Sequence, residues 1–343
     1  MTGVVGARRY VVVSGPPASG KSTLAAALAA ELGYPLVAKD TIKEALMARL
    51  GAPDVEASRR LGGAAVAAVL AVAQDCPAAV LESVWHRSRA AADLAALGAP
   101  LVEVFCRCER SVAQARYEAR AGTRAAGHFD RDRLSDELWN DENTVPVAGG
   151  WPVLEVDTTG PVEVAAVTAR VRDALRSAAG SVVAREAEAA DGPALAALHH
   201  ATVTAAYAGI FPRDAPMPDV VELAAQWAEA LAESGAVVLV AEAYGVVVGS
   251  VAIRPDADHL GRAQLRRLHV LPGWWGVGLG SRLHDEALAR MSAGSYADAS
   301  LWVLEANTRA RAMYERRGWR LVPRDLLEWP GLDVLEVRYE REL

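Results

Sequence analysis

Lysine is nearly absent from this sequence. Only Lys21, Lys39 and Lys43 occur among 36 basic residues, and all the others are arginine. The codon bias of a GC-rich genome accounts for most of this imbalance. Against that background, Lys21 fits a specific role because it lies in a glycine-rich segment. Lys39 and Lys43 are expected on the solvated surface, with substrate contact as the alternative.

Cysteine is also scarce, with three residues at positions 76, 106 and 108. No second close pair accompanies Cys106 and Cys108, which argues against a four-ligand zinc site. Buried, inert thiols in a reducing cytoplasm are therefore expected. The longest apolar stretch, residues 237–253, is interrupted by polar and glycine residues, and the N-terminus lacks a signal-peptide pattern. These features predict a cytoplasmic protein that does not enter a membrane.

The formal net charge is −7. Proteins that bind nucleic acid non-specifically usually carry a basic face, so this charge argues against a nucleic-acid partner and favours small-molecule substrates. No pattern in the sequence specifies an oligomeric state.

The chain of 343 residues is longer than one hydrophobic core usually supports, which predicts two domains. Apolar runs and helical patterns alternate through residues 1–178, as in a doubly wound α/β fold with a parallel sheet. Residues 177–181 are small and polar, which is typical of a linker. Residues 182–343 contain strands joined by hairpins, including a tight turn at Tyr244-Gly245, and predict a mixed α+β sheet.

A phosphate-binding loop follows the first predicted strand. Gly15, Gly20, Lys21 and Ser22 satisfy the pattern G-x-x-x-x-G-K-[ST], and a predicted helix follows them directly. Glycine lets backbone N–H groups converge on phosphate oxygens, and the helix N-terminus adds partial positive charge. Lys21 is expected to reach the β- and γ-phosphates of ATP, and Ser22 to bind Mg²⁺. The predicted nucleotide contacts are Gly15, Pro16, Pro17, Ala18, Ser19, Gly20, Lys21, Ser22 and Thr23.

A guanine-reading N-K-x-D sequence is absent, which argues against a signalling GTPase. Residues 9–177 resemble the small P-loop kinases that include chloramphenicol phosphotransferase, zeta toxins and polynucleotide kinases. In that group an aspartate after the second strand orients and deprotonates the acceptor hydroxyl, and Asp40 matches it. The alternative for Asp40 is a helix cap. Glu82, at the end of the third predicted strand, is either a Mg²⁺-site acid, a substrate contact or a structural carboxylate.

The same resemblance implies a lid whose arginines contact the phosphates. Arg116, Arg120 and Arg124 recur every four residues and share one helix face, and His128 follows. Arginine suits phosphate because its planar fork binds two oxygens. We predict Arg116 and Arg120 as catalytic residues, with Arg120 also contacting the nucleotide. The alternative is an ordinary charged helix face.

A second glycine-rich loop lies in the C-terminal half. A predicted strand ends near a proline, and the glycines open a helix, so backbone amides can again hold an anion. Residues 182–341 resemble the GNAT acetyltransferases, which implies acetyl-CoA as the cofactor. The family often has Arg or Gln at the position of Trp275 and a basic residue at that of Val277, and Arg282 could replace one cation. The implied contacts are Leu268, His269, Val270, Trp275, Gly276, Val277, Gly278, Leu279, Gly280 and Ser281.

Residues 301–319 resemble the second signature of that family. Tyr314 matches the tyrosine that protonates the leaving thiolate, with a core tyrosine as the alternative, and it also counts as a cofactor contact. Asn307 is predicted to contact the cofactor, to cap a helix, or both. An amine acceptor must lose a proton before it attacks the thioester. Glu242 and His269 are candidate bases, although a structural role is favoured for each.

These features predict a bifunctional enzyme: an ATP-dependent phosphotransferase acting on a hydroxyl group, joined to an acetyl-CoA-dependent N-acetyltransferase. Modification of antibiotics or metabolites suits both reactions by analogy. Two alternatives remain open. One is a regulatory protein in which one domain senses a nucleotide or acyl-CoA. The other is a toxin-like kinase acting on nucleotide sugars or RNA ends.

Overall fold

The computed structural model describes residues 8–120, 126–129, 138–180, 182–212, 215, 218–328 and 334–343. The chain divides into two compact units, Met1–Ser181 and Val182–Leu343. Across the described residues, no helix combines the length and apolarity needed to cross a membrane.

The first unit alternates strands with helices. Its elements in chain order are β1 (Arg9–Ser14), α1 (Lys21–Leu32), β2 (Leu36–Ala38), α2 (Lys39–Leu50), α3 (Val55–Asp75), β3 (Ala78–Glu82), α4 (Arg87–Ala95), β4 (Leu101–Arg107), α5 (Arg110–Arg120), β5 (Val153–Asp157) and α6 (Val164–Gly180).

Five strands of this unit form a parallel sheet in the order β2-β3-β1-β4-β5. Strand β1 lies at the centre, and its residues Tyr10 to Val13 are fully buried, as expected for a strand covered on both faces. The predicted doubly wound α/β fold is confirmed. Because all strands run in the same direction, the carboxyl ends of β1, β2 and β3 meet at one edge, where ligands bind in such sheets.

The second unit has a different pattern. Its elements are β6 (Val183–Glu186), α7 (Gly192–Tyr207), α8 (Val220–Ala232), β7 (Val237–Ala243), β8 (Val246–Pro255), β9 (Arg262–Val270), α9 (Leu279–Ala293), β10 (Asp298–Leu304), α10 (Thr308–Arg316), β11 (Arg320–Glu328) and β12 (Leu335–Glu342).

These strands form a mixed sheet in the order β11-β12-β10-β9-β8-β7-β6, which confirms the predicted α+β class. Strand β9 pairs in parallel with β10 only from Arg262/Asp298 to Leu265/Leu301. Beyond Leu265, β9 continues to Val270 without a ladder to β10, and Arg267 there has a positive φ of 51°. The two strands therefore open into a cleft toward their carboxyl ends.

The Tyr244-Gly245 hairpin has the predicted tight turn, with φ of 56° and 75°, the left-handed pair that a type I′ turn requires. Helix α3 begins at Val55, where Asp54 caps it by accepting from Ala57 N at 2.7 Å. Helices α4 and α8 and strand β11 were not predicted. The structure has a capping box at Asp219, and its Asp-x-x-Glu sequence was the available signal for α8.

Candidate functional sites

The P-loop connects β1 to α1. Three of its residues have positive φ, Gly15 at 133°, Ala18 at 58° and Gly20 at 89°. A Cβ at Gly15 would lie 2.7 Å from the carbonyl oxygen of Cys106, so only glycine fits there. Gly20 is the N-cap of α1 and supplies no side-chain hydrogen bond. The first N–H groups of α1 therefore have no side-chain cap at Gly20 and can donate hydrogen bonds to a ligand at the loop.

Lys21 and Glu82 occupy this edge of the sheet as two buried charges. Burial lowers the pKa of Lys21 and raises the pKa of Glu82, and each charge opposes the shift of the other. Lys21 Nζ donates to Pro16 O at 2.6 Å. Ser22 Oγ lies 3.4 Å from Glu82 Oε1. A hydroxyl and a carboxylate together are ligands that Mg²⁺ accepts, so these two residues fit a metal bound with ATP.

Asp40 lies in the first turn of α2, whose N-cap is Ala38. The N-cap residue Ala38 itself makes no side-chain cap bond. Lys39 Nζ donates to Asp40 Oδ1 at 2.8 Å. Asp40 therefore stands beside the P-loop with a cation next to it, where it can orient a hydroxyl group.

These groups line one cavity of about 550 Å³, whose wall includes Lys21, Ser22, Asp40 and Glu82. Lys43 also lines it, with 2% of its surface exposed, and donates to Ser58 Oγ at 2.8 Å. The expectation that Lys43 lies on the solvated surface was wrong. Helix α2 packs against α3, which covers this side chain.

The predicted lid arginines differ in their surroundings. Arg120 lines the cavity, and its guanidinium carbon lies 5.1 Å from the centroid of the Tyr117 ring. Arg116 instead donates to the carbonyl oxygens of Thr158 and Thr159, at 2.9 and 2.8 Å. Arg116 therefore contacts the loop that follows β5. Arg124 lies outside the described residues.

His128 lines the same cavity, and its Nε2 lies 2.9 Å from Glu44 Oε1.

A buried carboxylate that the sequence reasoning missed, Glu103, lies on β4. It accepts from Ser14 Oγ at 2.5 Å, from Val147 N at 2.9 Å and from Ala148 N at 3.0 Å. These bonds hold the strand beneath the P-loop and leave Glu103 a structural role. Polar Glu103 inside an apolar strand was the available signal.

The second glycine-rich loop repeats the geometry of the first. Gly276 and Gly278 have φ of 79° and 85°, and a Cβ on either would meet no atom within 4 Å. Gly278 is the left-handed N-cap of α9 and, like Gly20, makes no side-chain cap bond. The loop therefore presents open space and helix N–H groups together. That combination fits the pyrophosphate of coenzyme A.

Trp275 anchors this loop, since its Nε1 donates to Val270 O at 2.6 Å. Arg309, in the first turn of α10, lies over the Trp275 ring with its guanidinium carbon 4.5 Å from the centroid. Arg282 donates to Val182 O at 3.4 Å. Sequence reasoning missed Arg309, because nothing local in its sequence shows that α10 begins beside the loop.

Tyr314 is 7% exposed, and its ring centroid lies 6.0 Å from that of Trp319. Burial, with a smaller effect from Tyr207, raises its pKa well above the usual range, so the phenol keeps its proton. Asn307 caps α10 by accepting from Ala310 N at 3.1 Å. Its cap role is confirmed, and its cofactor contact stays a prediction.

The two candidate bases occupy contrasting surroundings. Glu242 is half-exposed and accepts from Arg185 at 3.1 Å. His269 is buried, and its ring centroid lies 4.2 Å from that of His199. Burial holds the pKa of His269 well below its usual value, with His199 adding to the effect. His269 is therefore a neutral imidazole at physiological pH, and Glu242 is engaged in an ion pair.

Both units match known families. Residues 11–141 match the model of an AAA domain. Residues 201–319 match the model of the acetyltransferase (GNAT) family. Each unit is therefore similar to a different family, the first to an AAA domain and the second to the GNAT acetyltransferases. A search of curated proteins gave no match.

Several solved structures align with one unit or the other. A protein from Chloroflexus aurantiacus, provisionally named a kinase, is 28% identical with a TM-score of 0.44, over 49% of this chain and 98% of that one. PaiA N-acetyltransferase from Thermoplasma acidophilum, in complex with coenzyme A, is 18% identical with a TM-score of 0.39, over 48% and 99%. Ribosomal-protein-alanine N-acetyltransferase from Brucella melitensis is 23% identical with a TM-score of 0.39, over 47% and 99%.

Proposed function

We propose that the chain is a bifunctional transferase, with an ATP-dependent phosphotransferase in the first unit and an acetyl-CoA-dependent N-acetyltransferase in the second. The two family matches support a transferase. One feature that the two units share supports the proposal that each binds its own donor. Helices α1 and α9 each begin on a left-handed glycine without a side-chain cap, and each start adjoins groups suited to a different donor. Backbone amides at a helix start favour the phosphates of both donors.

In the first unit, Lys21 and the P-loop amides would hold the triphosphate, while Ser22 and Glu82 would hold Mg²⁺, which offsets phosphate charge. Asp40 lines the cavity beside them. It would orient the acceptor hydroxyl and accept its proton as that oxygen attacks the γ-phosphorus. Positioning matters most in this reaction, because the phosphoryl transition state is loose.

In the second unit, the amides around Gly276 and Gly278 would hold the pyrophosphate, and the cleft between β9 and β10 would admit the acyl arm. Acetyl-CoA supplies the activated thioester. Tyr314 is proposed to give its proton to the departing thiolate, a role supported by its protonated, buried state. His269 and Glu242 remain the candidate acceptors of the amine proton.

A single assay tests the proposal. The full chain is incubated with ATP, Mg²⁺ and acetyl-CoA, singly and together, over a panel of alcohols and amines, and products are identified by mass. We expect phosphate gain only with ATP and acetyl gain only with acetyl-CoA. Asp40→Asn is expected to remove the phosphate gain while ATP still binds. Donor binding without turnover anywhere on the panel would favour the sensor alternative instead.

A further inference from the structure

A buried histidine, His284, lies next to the proposed proton donor of the second unit. It belongs to α9, and 0% of its surface is exposed. Its Nε2 accepts from Trp319 Nε1 at 2.8 Å, and its Nδ1 lies 2.8 Å from Asp285 Oδ1. Arg317 Nε donates to the same Asp285 oxygen at 3.2 Å. Both nitrogens of this buried imidazole therefore have hydrogen-bond partners.

These contacts specify one tautomer of His284. The indole N–H of Trp319 can only donate, so Nε2 of His284 must be the acceptor. The ring proton of the neutral imidazole then lies on Nδ1, which donates it to Asp285. Burial lowers the pKa of His284, the Asp285 carboxylate opposes that shift, and Arg317 and Arg341 add to it. The imidazole is therefore neutral at about pH 7.

Three rings form a triangle around the bond between His284 and Trp319. The ring centroid of Tyr314 lies 6.2 Å from that of His284 and 6.0 Å from that of Trp319, and the last two are 6.0 Å apart. The plane of Trp319 meets each neighbour at 66°, in the edge-to-face arrangement that aromatic rings prefer. Trp319 N also donates to Tyr314 O at 3.2 Å. Tyr314 therefore packs against two rings that are bonded to each other, which restricts the orientation of its side chain.

We propose that His284 is a positioning residue for acetyl transfer: by accepting the N–H of Trp319, it fixes the indole that holds the Tyr314 phenol in one orientation. This inference rests on the proposed acetyltransferase function and on the acid role of Tyr314. Packing alone would require only an apolar side chain at position 284, whereas a buried imidazole must give up the hydration of two nitrogens. Small displacements of a catalytic group lower rates by up to about 10²-fold, so a fixed phenol matters.

Two substitutions of His284 in the full chain test the hydrogen bond to Trp319. His284→Leu removes the acceptor and leaves the indole N–H without it. His284→Gln can still accept that N–H through its amide oxygen. We expect His284→Leu to lower kcat for acetyl transfer about ten- to hundredfold while the Kd for acetyl-CoA stays within about twofold. His284→Gln should lose clearly less. Equal losses in kcat for the two variants overturn the inference.

A double-variant cycle with Tyr314→Phe separates positioning from a general loss of packing. If His284 acts through the Tyr314 hydroxyl, His284→Leu should lower kcat by no more than about twofold in the Tyr314→Phe background. The same fold-loss in both backgrounds would show that His284 supports only the fold. Met291→Ala is the control, because Met291 is fully buried on the same helix and in the same core but is not one of the three rings. Any change that it causes in kcat should be equal in both backgrounds.

The tautomer of His284 is measured without turnover. Imidazole ¹⁵N spectra of the labelled full chain, assigned by comparison with His284→Gln, should show a protonated Nδ1 and an unprotonated Nε2 at about pH 7. A protonated Nε2 overturns the inference, and so does acetyl transfer at the wild-type rate in His284→Leu. If the expected tautomer is present but no amine is acetylated, the proposed acetyltransferase is overturned, and with it this role of His284.

Discussion

The guanidinium of Arg309 lies over the indole ring of Trp275, 4.5 Å from the ring centroid. Trp275 holds the loop position where the family resemblance implies Arg or Gln. A cation is therefore present at the second glycine-rich loop, but it comes from the first turn of α10 instead of from the loop itself. The indole provides the platform, because aromatic faces attract guanidinium groups.

If this pair contributes to cofactor binding, Arg309→Gln should raise the Kd for acetyl-CoA about tenfold, as loss of one charge-assisted contact to phosphate does. Trp275→Ala should act through the same contact, so the double variant should be less than additive. Calorimetric titration measures all three. Arg316→Gln, on the exposed last turn of the same helix, is the control. Additive effects would show that the two residues act separately.

Tyr314→Phe should lower the rate of acetyl transfer on the order of 10²-fold or more, because it removes a positioned proton donor. The Kd for acetyl-CoA should stay within about twofold, since only a hydroxyl is lost. Because burial raises the pKa of Tyr314, the proton stays on the phenol through the alkaline range. Loss of this proton should therefore not lower the wild-type rate at any pH below about 10. Steady-state rates across pH provide the test.

Tyr296→Phe is the control for that substitution, because Tyr296 belongs to the same unit and packs on its core. An unchanged rate in Tyr314→Phe would rule out its acid role. An equal loss in both variants would point to packing instead.

The neighbouring imidazoles predict acid sensitivity of the second unit. Burial lowers the pKa of His199 to about 4, below its unfolded value near ~6.5. Between these values the unfolded chain binds more protons, so stability is present above about pH 6.5 and is lost as the pH falls toward 4. The His199 imidazole alone should lower the free energy of unfolding by up to about 2 kcal/mol between pH 7.5 and 5.

Urea unfolding of the wild type and of His199→Gln at both pH values measures how much free energy of unfolding is lost on acidification. The variant should lose less stability on acidification than the wild type. His200→Gln, one residue along α7, is the control. A pH dependence unchanged by His199→Gln would mean that His199 is not responsible.

Glu103 should be a stability residue of the first unit. Glu103→Ala leaves the donors at Ser14, Val147 and Ala148 without their shared acceptor, and should cost about 2–4 kcal/mol of unfolding free energy. Glu155→Ala, an exposed carboxylate on the adjacent strand β5, should change it by about 0.5 kcal/mol or less. Chemical denaturation followed by circular dichroism distinguishes the two.

The periodic patterns predicted most of the fold, since strand and helix repeats are local properties of the sequence. The strand predicted before the P-loop is present as β1, and both glycine-rich loops lie where their spacing placed them. Strand β11 was missed because its partner β12 supplies the ladder that stabilises it. That pairing is a property of tertiary structure.

The sites were predictable only where function depends on a local motif. The P-loop glycines are such a case, because their backbone angles follow from adjacent residues. Lys43 and Arg309 were not, since burial against α3 and contact with Trp275 depend on how separate helices pack. Arg116 shares the helix face of Arg120, yet only Arg120 lines the cavity. Spacing along a helix does not tell which groups a side chain bonds.

The most direct test of two sites for two donors is a crossed titration of the full chain with ATP and acetyl-CoA. Lys21→Met should abolish ATP binding and leave the Kd for acetyl-CoA unchanged. Gly276→Asp should weaken acetyl-CoA binding and leave the Kd for ATP unchanged, because aspartate tolerates the left-handed backbone but places negative charge at the second glycine-rich loop. Gly276→Asn controls for size. If Lys21→Met or Gly276→Asp weakens binding of both donors, or of neither, the two glycine-rich loops do not serve separate donors.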